Sequence, residues 1–339
     1  MKKDNQLMAL LSVWGILLVV LGHSGFEEPI IKQELSGLHS WIYSFHMPLF
    51  FMISGYLFSL TNNSFVDIQP WKFMQKKVLR LLVPYLTIGT IVYLIKFAFS
   101  GLSHASRDFT IGNFFYMFIA PSNPNSTMGY LWYIVTLFVV FAIAVLLNKL
   151  RIDMKKPLWC LVLIMVFLAL DSCMPKVALF NLNAVMHYMP AFLMGILFMK
   201  YEDSILTSIN RGGYLNLLII SLLTIVLTIY RLPVPSFCIW VVRFLAGVWM
   251  SISLCSMILR SSKIRGFLLP FSKYTYSIYL LSWFGQYAAK VLLINILHLH
   301  WSIAVVAMFI CGIAVPLVVD KCVDRWFKDN KAIRLIIGY

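Results

Sequence analysis

The stretch SFHMPLFFMISGYLF, Ser44 to Phe58, is almost wholly apolar and helical in period, yet it opens on a histidine and a proline and carries a Ser-Gly pair near its centre. It sits inside a longer apolar run at about 40–60, long enough to cross a bilayer, which takes roughly 20 such residues. Nine further runs of the same kind lie at about 7–26, 79–99, 128–148, 157–172, 184–199, 213–230, 237–259, 272–297 and 302–319. Composition agrees, since 61% of the 339 residues are hydrophobic and only 12% are charged, more apolar surface than a water-soluble domain of this size could hide. The expected fold is all-α: a polytopic membrane helix bundle of about ten transmembrane helices, forming one domain over 1–339 with both termini cytoplasmic.

The net charge of +15 would suit a nucleic-acid partner if the cations were clustered on a soluble face. Instead they sort by side. Lys2, Lys3, Lys72, Lys76, Lys77, Arg80, Lys149, Arg151, Lys155, Lys156, Lys200, Arg211, Arg260, Lys263, Arg265, Lys273 and the cations of 321–334 fall on one side of the ten runs. Only Lys32, Arg107, Lys176 and Arg231 fall on the other. Positively charged loops stay in the cytoplasm, so the basic excess is topological and nucleic acid is excluded as a partner. Lys2 and Lys3 before an apolar run also imitate a signal peptide, but the run is too long and lacks a small-x-small cleavage site, so it reads as a retained first helix. No soluble domain is expected at either end. The six cysteines show no paired metal spacing, and no metal site or bound cofactor is expected.

Within WKFMQKKVLRLLVPY, Lys72, Lys76 and Arg80 recur at i, i+4, i+8, which places three cations on one helical face at the inner surface. Such a face anchors to anionic lipid headgroups or docks a phosphorylated donor, and Lys77 adds to the same cluster. At the opposite surface two histidines stand out. His23 lies about 16 residues beyond Leu7, a rise of ~24 Å; His46 lies about 14 residues before Leu60, ~21 Å. Adjacent antiparallel spans therefore bring both imidazoles to a similar depth in the outer part of the bilayer. Ionisable groups there are costly and are kept for function. An imidazole can take a proton from a hydroxyl and return it within one cycle. Glu27, four residues after His23, would orient that ring if the helix continued so far, or else begins a solvated loop. Pro48 is expected in the first turns of its span, and Ser54-Gly55 permits close helix approach.

In combination, LLVVLGHS (17–24), WIYSFHMPLFFMISGYLF (41–58), RLLVPY (80–85), GYLWYIVTLF (129–138), YMPAFLMGILF (188–198) and KYTYSIYLLSWFG (273–285) resemble, in order, the acyltransferase-3 family of integral membrane acyltransferases, in particular its sugar O-acetylase-like branch. The resemblance implies transfer of an acyl group, usually acetyl, from cytoplasmic acyl-CoA to a sugar hydroxyl, with His23 as the catalytic histidine and His46 as the second motif histidine. The chain departs from the family pattern at Ser12, where relatives carry Arg or Lys eleven residues before the histidine, and at Ser282, where they often carry histidine. Ser12 joins Lys72, Lys76, Lys77 and Arg80 as a candidate for donor binding.

Three charges fall inside spans. Lys96 and Lys290 can snorkel to an interface, whereas Arg243 needs a polar setting and is a candidate for the acceptor or a developing oxyanion. Trp132 and Tyr133 are candidates for stacking on a sugar, with interfacial anchoring as the alternative, and Glu27 completes the acceptor set. The expectation is a membrane O-acetyltransferase of a bacterial inner membrane, using acetyl-CoA as co-substrate and acting on a surface or exported polysaccharide or its lipid-linked precursor. Membrane lipid and polysaccharide-biosynthesis proteins are the further expected partners. The alternative is a transporter or flippase for a glycan or acylated metabolite, with no covalent step.

Overall fold

The computed structural model describes residues 3–26, 28–61, 69–98, 109–123, 126, 128–175, 177–230, 236–336 and 338. Among these, every regular element is helical: α1 (Lys3–Gly22), α2 (Pro29–Glu34), α3 (Ser36–Thr61), α4 (Pro70–Lys77), α5 (Val83–Ala98), α6 (Ile111–Ile119), α7 (Trp132–Lys149), α8 (Pro157–Cys173), α9 (Leu182–Ile229), α10 (Ser236–Arg260), α11 (Ser262–Leu268), α12 (Thr275–Lys290), α13 (Trp301–Trp326) and α14 (Lys331–Ile336). Proline opens α2, α4 and α8, where the first-turn N–H has no intrahelical partner and its loss is harmless. Hydroxyls cap α6 and α11: Thr110 accepts from the Asn113 N–H and Ser261 from that of Ile264.

Six helical runs among the described residues are long and apolar enough to cross a membrane: Pro70–Ala98, Gly129–Lys149, Leu179–Ile229, Cys238–Arg260, Ser262–Ile296 and Trp301–Trp326, with shorter apolar helices at Gln6–Gly22 and Pro157–Cys173. This is a multi-pass membrane protein. The 51 residues of Leu179–Ile229 would extend ~76 Å as one straight helix, more than twice the ~30 Å hydrocarbon core. The backbone breaks where that length requires it, at Tyr201 (φ −110°, ψ 18°) and at Gly213 (φ 51°, ψ −135°). The polar segment between these breaks separates the two apolar stretches expected as distinct spans.

Two sequence expectations about local geometry are revised. Pro48 does not sit in the first turns of its helix, because α3 begins at Ser36, well before the apolar run, and the proline lies inside the helix. Its missing N–H removes one rung of the ladder, to the Ser44 carbonyl. Arg80 also leaves the register of Lys72 and Lys76, because α4 passes into a π-helical turn over Val78–Leu82. The wider turn shifts everything after Lys77 around the axis.

The chain forms two compact units, residues 1–57 with 197–322 and residues 58–196 with 323–339, with α3, α9 and α13 contributing to both. The first unit holds its helices together by close backbone approach and buried polar ties, the means available where lipid is as apolar as leucine. Gly247 of α10 lies against Phe45 of α3, and Gly285 of α12 lies against the Cys311 carbonyl of α13, leaving no room for a Cβ at either glycine. Trp14 Nε1 donates to Ser251 Oγ at 3.2 Å and Trp41 Nε1 to Thr224 Oγ1 at 3.0 Å. Ser277 donates to the buried carboxylate of Asp320. In the second unit, Phe58, Phe73, Phe141 and Phe192 pack ring to ring, with centroids 5.6–6.1 Å apart. The Asn181 Nδ2 donates to the Trp132 carbonyl at 3.1 Å and to Thr136 Oγ1 at 3.3 Å, fixing the entry into α9.

Candidate active site

The site begins where α1 stops. The helix ends at Gly22, so His23 lies one residue beyond it, in a turn, rather than within the span expected to run to 26. The chain stays tightly bonded there: the His23 N–H is shared between the Val19 carbonyl at 3.1 Å and the Val20 carbonyl at 3.3 Å, and Ser24 N–H donates to Leu21 at 3.0 Å. Gly25 makes the reversal possible, with φ +85° and a position where a Cβ would meet Met308 Cε at 2.6 Å and Ile31 Cδ1 at 2.7 Å. Beneath the turn, Phe26, Ile31, Ala289, Ala304, Val305 and Met308 form a buried apolar seat.

Two side chains of α12 grip the turn from the side. Buried Gln286 donates through Nε2 to the Val20 carbonyl at 2.7 Å and to Ser24 Oγ at 3.2 Å. Lys290, expected to snorkel toward an interface, pairs with Glu28 Oε1 at 2.7 Å, just before α2. The result is an exposed imidazole on a rigid support.

Facing it from α3 is Tyr43. Its hydroxyl donates to the Gly22 carbonyl at 3.4 Å, and its ring stands edge-on to His23 with centroids 6.2 Å apart. The same ring lies 4.8 Å from His46 and 3.9 Å from His39, and His39 in turn lies 4.7 Å from Phe26. His39, just ahead of the apolar run, is held below the ordinary imidazole value first by burial and then by the nearby Lys32 charge. His46 is buried, with Nδ1 at 2.8 Å from the Ile42 carbonyl. A carbonyl only accepts, so Nδ1 carries the proton and, in the neutral ring, Nε2 keeps the lone pair. The two histidines picked out from sequence thus meet one tyrosine ring.

The remaining candidates are placed as follows. Glu27 lies outside the described residues. Ser12 donates its hydroxyl to its own helix, to Met8 at 2.8 Å. Arg243 donates through Nε to the Leu227 carbonyl at 2.6 Å, satisfying one of the open carbonyls in the last turn of α9. Lys72, Lys76 and Arg80 are exposed, while Lys77 is half-buried, its Nζ 3.9 Å from the Phe141 centroid and 5.0 Å from that of Phe73. These four belong to the second unit, as do Trp132 and Tyr133. The Trp132 ring lies 5.3 Å from that of Tyr188 at a tilt of 32°, and 6.4 Å from Tyr133. Among the described residues no group of three metal-ligating side chains gathers.

An aromatic turn bearing an exposed histidine, seated on the last membrane helices, occurs in a chain whose residues 10–320 match the model of the acyltransferase-3 family, described as an acyltransferase domain. The chain belongs to the acyltransferase-3 family. No curated protein and no solved structure matches it. As an acyltransferase-3 protein it is a membrane acyltransferase, and the resemblance read from its motifs holds at the level of the family. Sequence reading missed Tyr43, His39 and Gln286 in this acyltransferase, together with the imidazole–carboxylate pair His187 Nδ1–Asp171 Oδ2 at 2.7 Å in the second unit. His187 and Asp171 do flank one short connection between apolar runs, a spacing open to notice; Gln286 is joined to Val20 across 266 residues, with no local signal at all.

Proposed function

We propose that this acyltransferase is an O-acetyltransferase, moving an acetyl group from cytoplasmic acetyl-CoA to a hydroxyl of a surface or exported polysaccharide, or of its lipid-linked precursor, in a bacterial inner membrane. The observation that carries the reading is the exposed imidazole of His23, held on a clamped turn one tyrosine ring away from His46. In the proposed step His23 takes the proton of the sugar hydroxyl as its oxygen attacks the thioester carbonyl. The C–S bond breaks, the proton passes to the departing thiolate, and an acetyl ester and free CoA are released. His46 and Tyr43 position the base. The exposed Lys72, Lys76 and Arg80 suit the phosphates of the donor, and Trp132 with Tyr133 suits the face of a sugar.

Counting α1, α3 and α8 as spans and α9 as two gives ten, with the cation-rich connections and both termini on the cytoplasmic side. Lipid and enzymes of polysaccharide assembly are the proposed neighbours. Inside-out membrane vesicles supplied with acetyl-CoA labelled on the acetyl carbon test the reading. Base-labile label should enter glycan and vanish in His23→Ala at matched expression. Movement of glycan across the vesicle membrane without consumption of the thioester would assign the protein to transport instead.

A further inference from the structure

The second unit contains a pocket of about 220 Å³ where the end of α8 meets the start of α9, lined by Leu170, Asp171, Val177, Leu182, Asn183 and Met186 among others. Its polar groups are arranged rather than incidental. Asp171 occupies the last turn of α8, where the carbonyl end of the helix disfavours a carboxylate. It is kept there by His187, one turn deeper along α9 than Asn183, whose Nδ1 lies 2.7 Å from Asp171 Oδ2. Asn183 accepts the Val177 N–H through Oδ1 at 2.7 Å. That bond commits Oδ1, so this lining residue has its two Nδ2 protons left to donate. Carboxylate and amide are thus both pre-set, one to accept and one to donate, against a floor of Leu170, Leu182 and Met186. From His187 a line of rings continues to Tyr188 at 4.8 Å and then to Trp132 at 5.3 Å between centroids.

A hexose ring offers what such a pocket takes: adjacent hydroxyls that donate together to a carboxylate, an oxygen that accepts from an amide, and an apolar C–H face for aliphatic carbons. We propose that this pocket is a monosaccharide subsite, with Asp171 and Asn183 as its ligand-binding residues and His187 as the positioning residue for the carboxylate. The inference rests on the reading that the acceptor is a glycan, and gives that acceptor a place to bind outside the turn of His23.

Saturation-transfer NMR on the detergent-purified full chain tests it, with four probes: the methyl glycosides of D-glucose, D-galactose, L-rhamnose and N-acetylglucosamine. At least one should receive saturation from the native protein. Asp171→Asn, which keeps shape and the contact to His187, should weaken that binding by about tenfold, the loss of a charge-assisted hydrogen bond. Leu182→Phe, which fills the pocket without touching the polar pair, should do the same, so one misfolded variant does not decide the outcome. His187→Ala should weaken binding while His187→Gln, which can still donate to Asp171, recovers part of it, a split that a merely structural tie would not give. His23→Ala should bind the probe as the native chain does. No saturation of any probe, or equal binding by the native chain, Asp171→Asn and Leu182→Phe, overturns the subsite. Failure of the subsite remains distinct from failure of the transferase. Label transfer that needs His23 with no probe binding leaves the chemistry and removes this pocket. Probe binding that needs Asp171 without label transfer does the reverse.

Discussion

At His23 the chain has just left a helix and turned on a glycine, and its imidazole is exposed; at His46 the chain stays inside a helix and the imidazole is buried against its own backbone. Both rings address Tyr43, at 6.2 Å and 4.8 Å. The pairing separates two requirements of base catalysis. In the proposed step an attacking hydroxyl must reach the base, for which the turn at Gly25 leaves His23 exposed; the base must also be held still, a task suited to a buried partner with one nitrogen already committed to Ile42. On the proposed reading, exposure marks the reacting group and burial marks its support.

Substitutions can break that division, and the largest effect is expected at the exposed ring. His23→Ala should lower the initial rate of acetyl transfer by about 10²–10⁴, the usual worth of a general base. Its melting temperature should match the native one, since the side chain is exposed. His46→Ala should show the opposite weighting: a smaller fall in rate and a clear fall in melting temperature, because a buried site is emptied and the Ile42 carbonyl keeps only its helical donor, the lost side-chain hydrogen bond being worth about 0.5–1.5 kcal/mol. Gln286→Leu is isosteric enough to pack but cannot donate to Val20 and Ser24. Loosening of the turn should then cost up to about 10²-fold in rate, the scale of a 1 Å misplacement, and probe binding at the second-unit pocket should be unchanged. Lys290→Ala should matter least. Its ion pair with Glu28 is partly exposed, so its loss should change stability by about 1 kcal/mol or less, an effect that shrinks further in high salt.

The helical class, the membrane setting and the nearness of His23 and His46 to one another were legible because each depends on local pattern: long apolar runs, sided cations, and residue counts along two neighbouring helices. What failed to show was geometry set by departures from that pattern. Counting at 100° per residue put Lys72, Lys76 and Arg80 on one face, but the π-helical turn at Val78–Leu82 resets the count, and Lys77 turns out to rest on Phe73 and Phe141. The apolar run 7–26 overshoots its helix, because hydropathy does not register the turn that follows Gly22 and reverses at Gly25; α3 begins earlier than hydropathy implies, so Pro48 lies inside it. Tyr43 was hidden in plain view, one aromatic among many in WIYSF, and only the fold brings three imidazoles around it. Arg243 was expected to need a polar setting, and the Leu227 carbonyl, sixteen residues away along the chain, supplies part of it.

The most direct test compares initial rates of labelled acetyl transfer from acetyl-CoA to glycan for the native chain, His23→Ala and His46→Ala, in vesicles of matched expression. The account predicts that His23→Ala loses about 10²–10⁴ in rate at an unchanged melting temperature, while His46→Ala keeps more activity and melts lower. A native rate in His23→Ala, or a greater loss of rate in His46→Ala, would contradict it.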